Sequence, residues 1–299
     1  MGRLETIFPQ FFKFLYPKIF LYLYKYKKTV TSEFTNTAEQ RAEELANYMQ
    51  GLLQGENGLK LIEKHSLKTS KFIPQDIVSA FDILMNQQIA IEDLKNVSNK
   101  LFNILYKTIL EYPALTPIPG SILDIYTQDN AVALANLKDT REHIKAINNQ
   151  EGIVHIRALS KKLIAFEKFF LHYTVIENVV FPVLEAKWKH HQCVKLMWSF
   201  HDDIRRNLRK LIEMLETPEI DLQEFNSTCG LVFFNVNTII LREEKIIFPM
   251  LLETLTNEEF ADMLEQTIGI GLPFAELRQP ELKNKDLIFS TDDKIHLPT

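Results

Sequence analysis

Apolar residues along this chain recur at three- and four-residue spacing rather than in alternation. Leu45, Met49 and Leu52/Leu53 share one face of a helix predicted over 38–54. Gly55 and Gly58 punctuate, and a short helix runs on to His65, a lone histidine read as a surface residue. Pro74 stands where a helix should start, followed by Ile77, Val78, Phe81 and Leu84 on one face. Leu94, Val97, Leu101, Leu105 and Ile109 carry the same pattern through 91–112. Pro113, Pro117, Pro119 and Gly120 then form the clearest boundary in the chain. Beyond it, four longer helices are predicted over 121–147, 153–185, 194–216 and 222–255, with breakers at 148–152 and at Thr217-Pro218. Short connections make neighbouring helices antiparallel. The expected fold class is all-α: a small helical domain at 31–112, a Pro-rich linker at 113–120, an up-down four-helix bundle at 121–268 and a polar tail at 269–299.

Composition sharpens this picture in three ways. With 299 residues, 46% apolar and nine glycines, the chain is long enough for two helical cores and poor in sheet signals. A net charge of −5 gives no basic surface for nucleic acid, so no nucleic-acid partner is expected. Two cysteines, Cys193 and Cys229, make no framework or CxxC motif; they read as buried hydrophobes in a reducing, cytoplasmic setting. No motif of a hydrolase, a kinase or a nucleophile-based enzyme is present.

The first 30 residues differ from the rest. Between Phe8 and Tyr26 lie nine aromatics, and basic residues outnumber acidic ones six to one over 1–28. Pro9, Lys13, Pro17 and Lys18 interrupt every apolar run there, so neither a spanning helix nor a signal peptide is expected. Two readings stand: a basic aromatic helix lying on a membrane surface as a peripheral contact, or aromatics docked on the chain's own bundle.

The candidate chemistry centres on HYTVIENVVFP, which begins at His172. Its pattern returns 67 positions later in EEKIIFPMLLE, which lays Glu244 on Glu177, Phe248 on Phe181 and Pro249 on Pro182. Two helices with equivalent places in one bundle explain such self-similarity. In antiparallel helices, residues equidistant from a loop share a height. Counting from the breaks places His172 opposite His201, and His201 opposite position 239, with Glu243 roughly 6 Å further along. The facing window of the first bundle helix offers Asp124, Tyr126, Asp129 and Asn130. Histidines and acids gathered at one level are how carboxylate-bridged metal sites are built in bundles.

The stretches HYTVIENVVFP, VKLMWSFHDDIR and EEKIIFPMLLETLT, within 165–270, resemble the hemerythrin-like, HHE cation-binding family. A weaker likeness, IPQDIVSAFDILMNQQIAIEDLKNVSNKLF, points to a subgroup in which a small helical domain precedes the bundle. The resemblance implies a non-haem iron centre, with two irons in the complete form. It also implies work as a carrier or sensor of oxygen, a sensor of nitric oxide or iron status, or repair of damaged iron centres. The departures are specific. Asn130 and Ala133 stand where the first helix would supply histidine, Ile176 stands at the acid's position with Glu177 one place on, and Ile239 replaces another histidine. His172, His201 and Glu243 survive, with Glu177 and Asp129 as helpers, which is a ligand set for one ion of the Fe(II) or Zn(II) class. The rival expectation is a metal-free helical scaffold with a protein partner. His190-His191 reads as a solvated loop, and Asp202-Asp203 with Arg205-Arg206 as an exposed, salt-bridged helix face.

Overall fold

A computed structural model describes residues 38–67, 71–112 and 117–274. The expected membrane or docking role of 1–28 and most of the polar tail lie outside the described residues. Among the described residues every regular element is helical and no strand occurs. The helices are α1 Ala38–Leu53, α2 Gly58–Lys64, α3 Pro74–Met85, α4 Ile91–Glu111, α5 Ile122–Lys138, α6 Arg141–Asn148, α7 Ile153–Lys187, α8 Cys193–Glu216, α9 over 222–254 and α10 Asn257–Ile270.

Local signals account for most boundaries. Asn57 caps α2 by accepting from the Leu59 and Lys60 amides. Pro74 opens α3, with Asp76 reaching back to the Ile73 amide. Ser121 caps α5, and Asp221 caps α9. The helix expected over 121–147 is broken: a turn at Asp139 and Thr140 separates α5 from α6. Thr140 is buried and bonds the Leu137 carbonyl, satisfying a helix end that would otherwise be orphaned. The stretch after Leu255, to which the apolar pattern assigned no helix, is helical as well. Thr256 and Glu259 form a capping box that starts α10, whose Phe260, Met263 and Thr267 are buried.

The described residues from Ala42 onward belong to one compact unit. Within it, α3 and α4 pack directly on the bundle. Lys95 of α4, itself buried, reaches Asp203 of α8 at 2.5 Å. Asp82 of α3 accepts from the Gln192 amide and pairs with His190, which is half-exposed. Arg242 of α9 lies between the rings of Phe102 and Phe200, 4.3 and 4.4 Å from their centroids, and donates to Ser98 and Asn99. His65, expected at the surface, is buried and paired with Glu44.

Helix α7 is long and apolar enough to cross a membrane by length and composition alone. More than half of its most apolar window, 56%, is buried inside the protein, and it carries charged and polar residues into the core. Those features fit the central helix of a bundle.

Candidate metal centre

Two π turns shape the site. They lie at Ile176–Val180 in α7 and at Glu243–Ile247 in α9, the two places related by the sequence repeat. In each, a phenylalanine amide bonds the carbonyl five residues back: Phe181 to Ile176 and Phe248 to Glu243. The next residue is proline, Pro182 or Pro249, which has no amide to donate and whose ring crowds the carbonyl four residues earlier. The wider turn takes in one extra residue and relieves that crowding. It also lets consecutive side chains face inward. Ile176 and Glu177 are both buried, so Glu177, displaced by one position in sequence, still reaches the core. Glu243 and Glu244 likewise both reach the Asn130 amide nitrogen, at 3.1 and 3.3 Å. Carboxylates only accept, which fixes the Asn130 amide with its NH2 toward them.

Glu243 lies between the two histidines, with one oxygen near each. His172 Nε2 is 3.2 Å from Oε2, and His201 Nε2 is 3.9 Å from Oε1. All three side chains are fully buried. Behind His172, Asp129 Oδ2 stands 3.8 Å from Nδ1. Behind His201, Glu177 accepts from Nδ1 at 2.8 Å. Arg205 then clamps Glu177 bidentately, at 2.8 and 2.9 Å. The exposed face expected for Arg205 is thus corrected. Its guanidinium turns inward to the buried Glu177 carboxylate while still touching Asp202 at 3.3 Å, and Arg206 keeps the surface pairing with Asp203. Phe169 stacks on His172 and Tyr173 on His201, with ring centroids 4.9 and 4.2 Å apart. Phe181 and Tyr126 complete the aromatic walls.

The environments drive the two imidazoles apart. For His172, burial favours the neutral ring, but the Glu243 charge, the hydrogen bond to Glu243 and the Asp129 carboxylate near Nδ1 outweigh it and raise the pKa to about 9. His172 is therefore an imidazolium at neutral pH. For His201, burial wins over the Glu177 and Glu243 interactions and lowers the pKa. A neutral His201 that donates Nδ1–H to Glu177 carries a lone pair on Nε2. That nitrogen and Glu243 Oε1 are both buried without a hydrogen-bond partner. Burial alone would raise Glu177, yet hydrogen bonds from His201 and Arg205 lower it. Glu244 is raised, first by burial.

Residues 122–251 match the family model of the hemerythrin HHE cation binding domain. This bundle is a hemerythrin-like HHE domain. No curated protein matches the chain. Tested against the cation such domains bind, the geometry is incomplete. Among the described residues, no three His, Cys, Asp or Glu side chains are arranged to hold one ion together. Two donors, His201 Nε2 and Glu243 Oε1, are available, while the third, His172 Nε2, is engaged with Glu243 Oε2. Glu177 is occupied by Arg205 and His201, and Asp129 faces the far nitrogen of His172. The sequence reading missed three members of this HHE site. The clamp role of Arg205 and the stacking role of Tyr173 had no signal in spacing. Asn130 was recognised as a lost ligand, though not as the amide that binds two carboxylates.

Proposed function

We propose that the core of the HHE domain, between His172 and His201, binds at most one divalent ion of the Fe(II) or Zn(II) class, and that non-haem iron is the cofactor. His201 and Glu243 would hold it, with His172 as third ligand once it gives up the proton it shares with Glu243. The observation that supports this most directly is the orphaned pair, His201 Nε2 and Glu243 Oε1, buried and 3.9 Å apart. One ion at about 2.1 Å from each donor spans up to roughly 4.2 Å. Two buried acceptors left facing each other are costly, and a cation between them removes that cost. On this reading the domain is a sensor or carrier, with oxygen, nitric oxide or iron status as its signal, in a reducing cytoplasm where its buried thiols stay free.

A second reading is a metal-free helical scaffold, favoured by the protonated His172 that already neutralises Glu243. Anaerobic titration of chelator-treated protein with Fe(II), and with Zn(II), separates the two. The expected result is one equivalent that His201→Ala abolishes, counted apart from any binding that survives this substitution. No binding sensitive to His201→Ala would support the scaffold, and two equivalents lost on His201→Ala would overturn the one-ion limit of the core.

A further inference from the structure

A second pair of histidines lies away from the core site. His143 of α6 and His155 of the first turn of α7 face each other across the α6–α7 hairpin, Nδ1 to Nδ1 at 3.2 Å. The hairpin turn fixes their approach. Gln150 and Gly152 take left-handed backbone conformations (φ of 58° and 100°), and the Gln150 and Glu151 amides bond the carbonyls of Ile147 and Ala146. The rings are tilted by 46° with centroids 5.5 Å apart, so this is an edge approach of two nitrogens rather than a stack. Both side chains are partly exposed, which leaves a path for an ion from solvent.

We propose that His143 and His155 form a two-nitrogen clamp for a divalent ion of the Zn(II), Ni(II) or Cu(II) class. With metal–nitrogen bonds of about 2.05 Å, donors 3.2 Å apart subtend an angle of about 100° at the ion, close to the tetrahedral value. Imidazole is the ligand these borderline ions prefer, and water completes the coordination. Without metal, one proton must lie between the two facing nitrogens, since two lone pairs would repel and two N–H groups would clash. On binding, that proton moves to the outer Nε2 of its own ring, which leaves both Nδ1 lone pairs for the ion. On the outer edge of His143, the Glu142 carboxylate lies 3.7 Å from Nε2, and its charge favours a proton there, which leaves Nδ1 free to bind. The clamp is independent of the core site: it shares no residue with it, and its charge partner is a different acid.

The test is Ni(II) titration by calorimetry of the full chain, with histidine-resolved NMR, for the unaltered protein and for His155→Ala and His143→Gln. Thermal melts check that both variants fold. The expected result is a binding component weakened by more than about tenfold in each variant, accompanied by perturbation of the His143 and His155 ring signals. Any component from His201 and Glu243 should persist in both variants, so the two sites fail or succeed separately. An isotherm unchanged by His155→Ala, or ring signals indifferent to Ni(II), would overturn the clamp and leave a shared proton only.

Discussion

Raising the pH of metal-free protein from 6.5 to 9 should weaken it through a single side chain. His172 holds its proton to about 9 in the folded protein against 6.5 for an ordinary histidine. Between those values the folded chain carries a proton that the unfolded chain has lost, so stability falls as pH rises. Below 6.5 both states are protonated and the contribution is full; above 9 both are neutral and it is gone. The difference is worth about 3 kcal/mol at roughly 1.4 kcal/mol per pH unit. With a urea dependence of about 3 kcal/mol per molar, that is a midpoint shift on the order of 1 M. His201 acts on the acid side of this window, because its pKa is lowered. The Cys193 and Cys229 thiols, pushed up to about 12 by burial, add their own loss only above the ordinary thiol value of 9.0. Urea unfolding at several pH values, with Glu243→Gln alongside, isolates the effect. The variant removes the charge that holds the proton on His172, so its stability should be lower near pH 6.5 and nearly flat up to 9. An equal slope in both proteins would refute the assignment of His172 as an imidazolium paired with Glu243.

Two further perturbations test the surroundings. Arg242→Met should change stability by no more than about 1 kcal/mol, or increase it, because the buried guanidinium has no carboxylate partner among the described residues and burial has already lowered its pKa to about 9; a loss of about 3 kcal/mol or more in urea unfolding would show that its stacking on Phe102 and Phe200 outweighs its desolvation. Thr256→Ala should cost about 1 kcal/mol and speed amide exchange at the start of α10, since it removes the side chain that caps the Glu259 amide; exchange unchanged there would count against the capping box.

Much of the bundle was legible because burial imposes a 3.6-residue period, and height in an antiparallel bundle follows from counting outward from loops. That arithmetic alone put His172, His201 and Glu243 near one level, and the structure sets the two rings on either side of the carboxylate. Periodicity could not show direction within a level. Arg205 and Arg206 look alike in sequence, yet one clamps Glu177 and the other stays at the surface. Nor could it show the packing of α3 and α4 on the bundle, which depends on contacts between residues about 100 positions apart, such as Lys95 with Asp203. The turn at Asp139 and Thr140 carried no Gly or Pro to announce it. The start of α10 did carry a signal, the Thr-x-x-Glu of Thr256 and Glu259, which the polarity of the neighbouring sequence obscured.

The π turns at Phe181 and Phe248 also govern how this chain can be aligned with others. A helix advances like a clock hand, about 100° per residue, and each π turn swallows one tick. Glu177 is therefore late by one in sequence while on time in space. A motif search that demands a fixed four-residue interval will score it as absent, although its carboxylate is in the core. Removing a single residue from either turn, or replacing the proline that follows, would reset the hand for every side chain between the turn and the end of that helix. Insertions and deletions at these two points are thus the places where bundles of this kind can exchange one set of inward-facing residues for another without changing a single side chain.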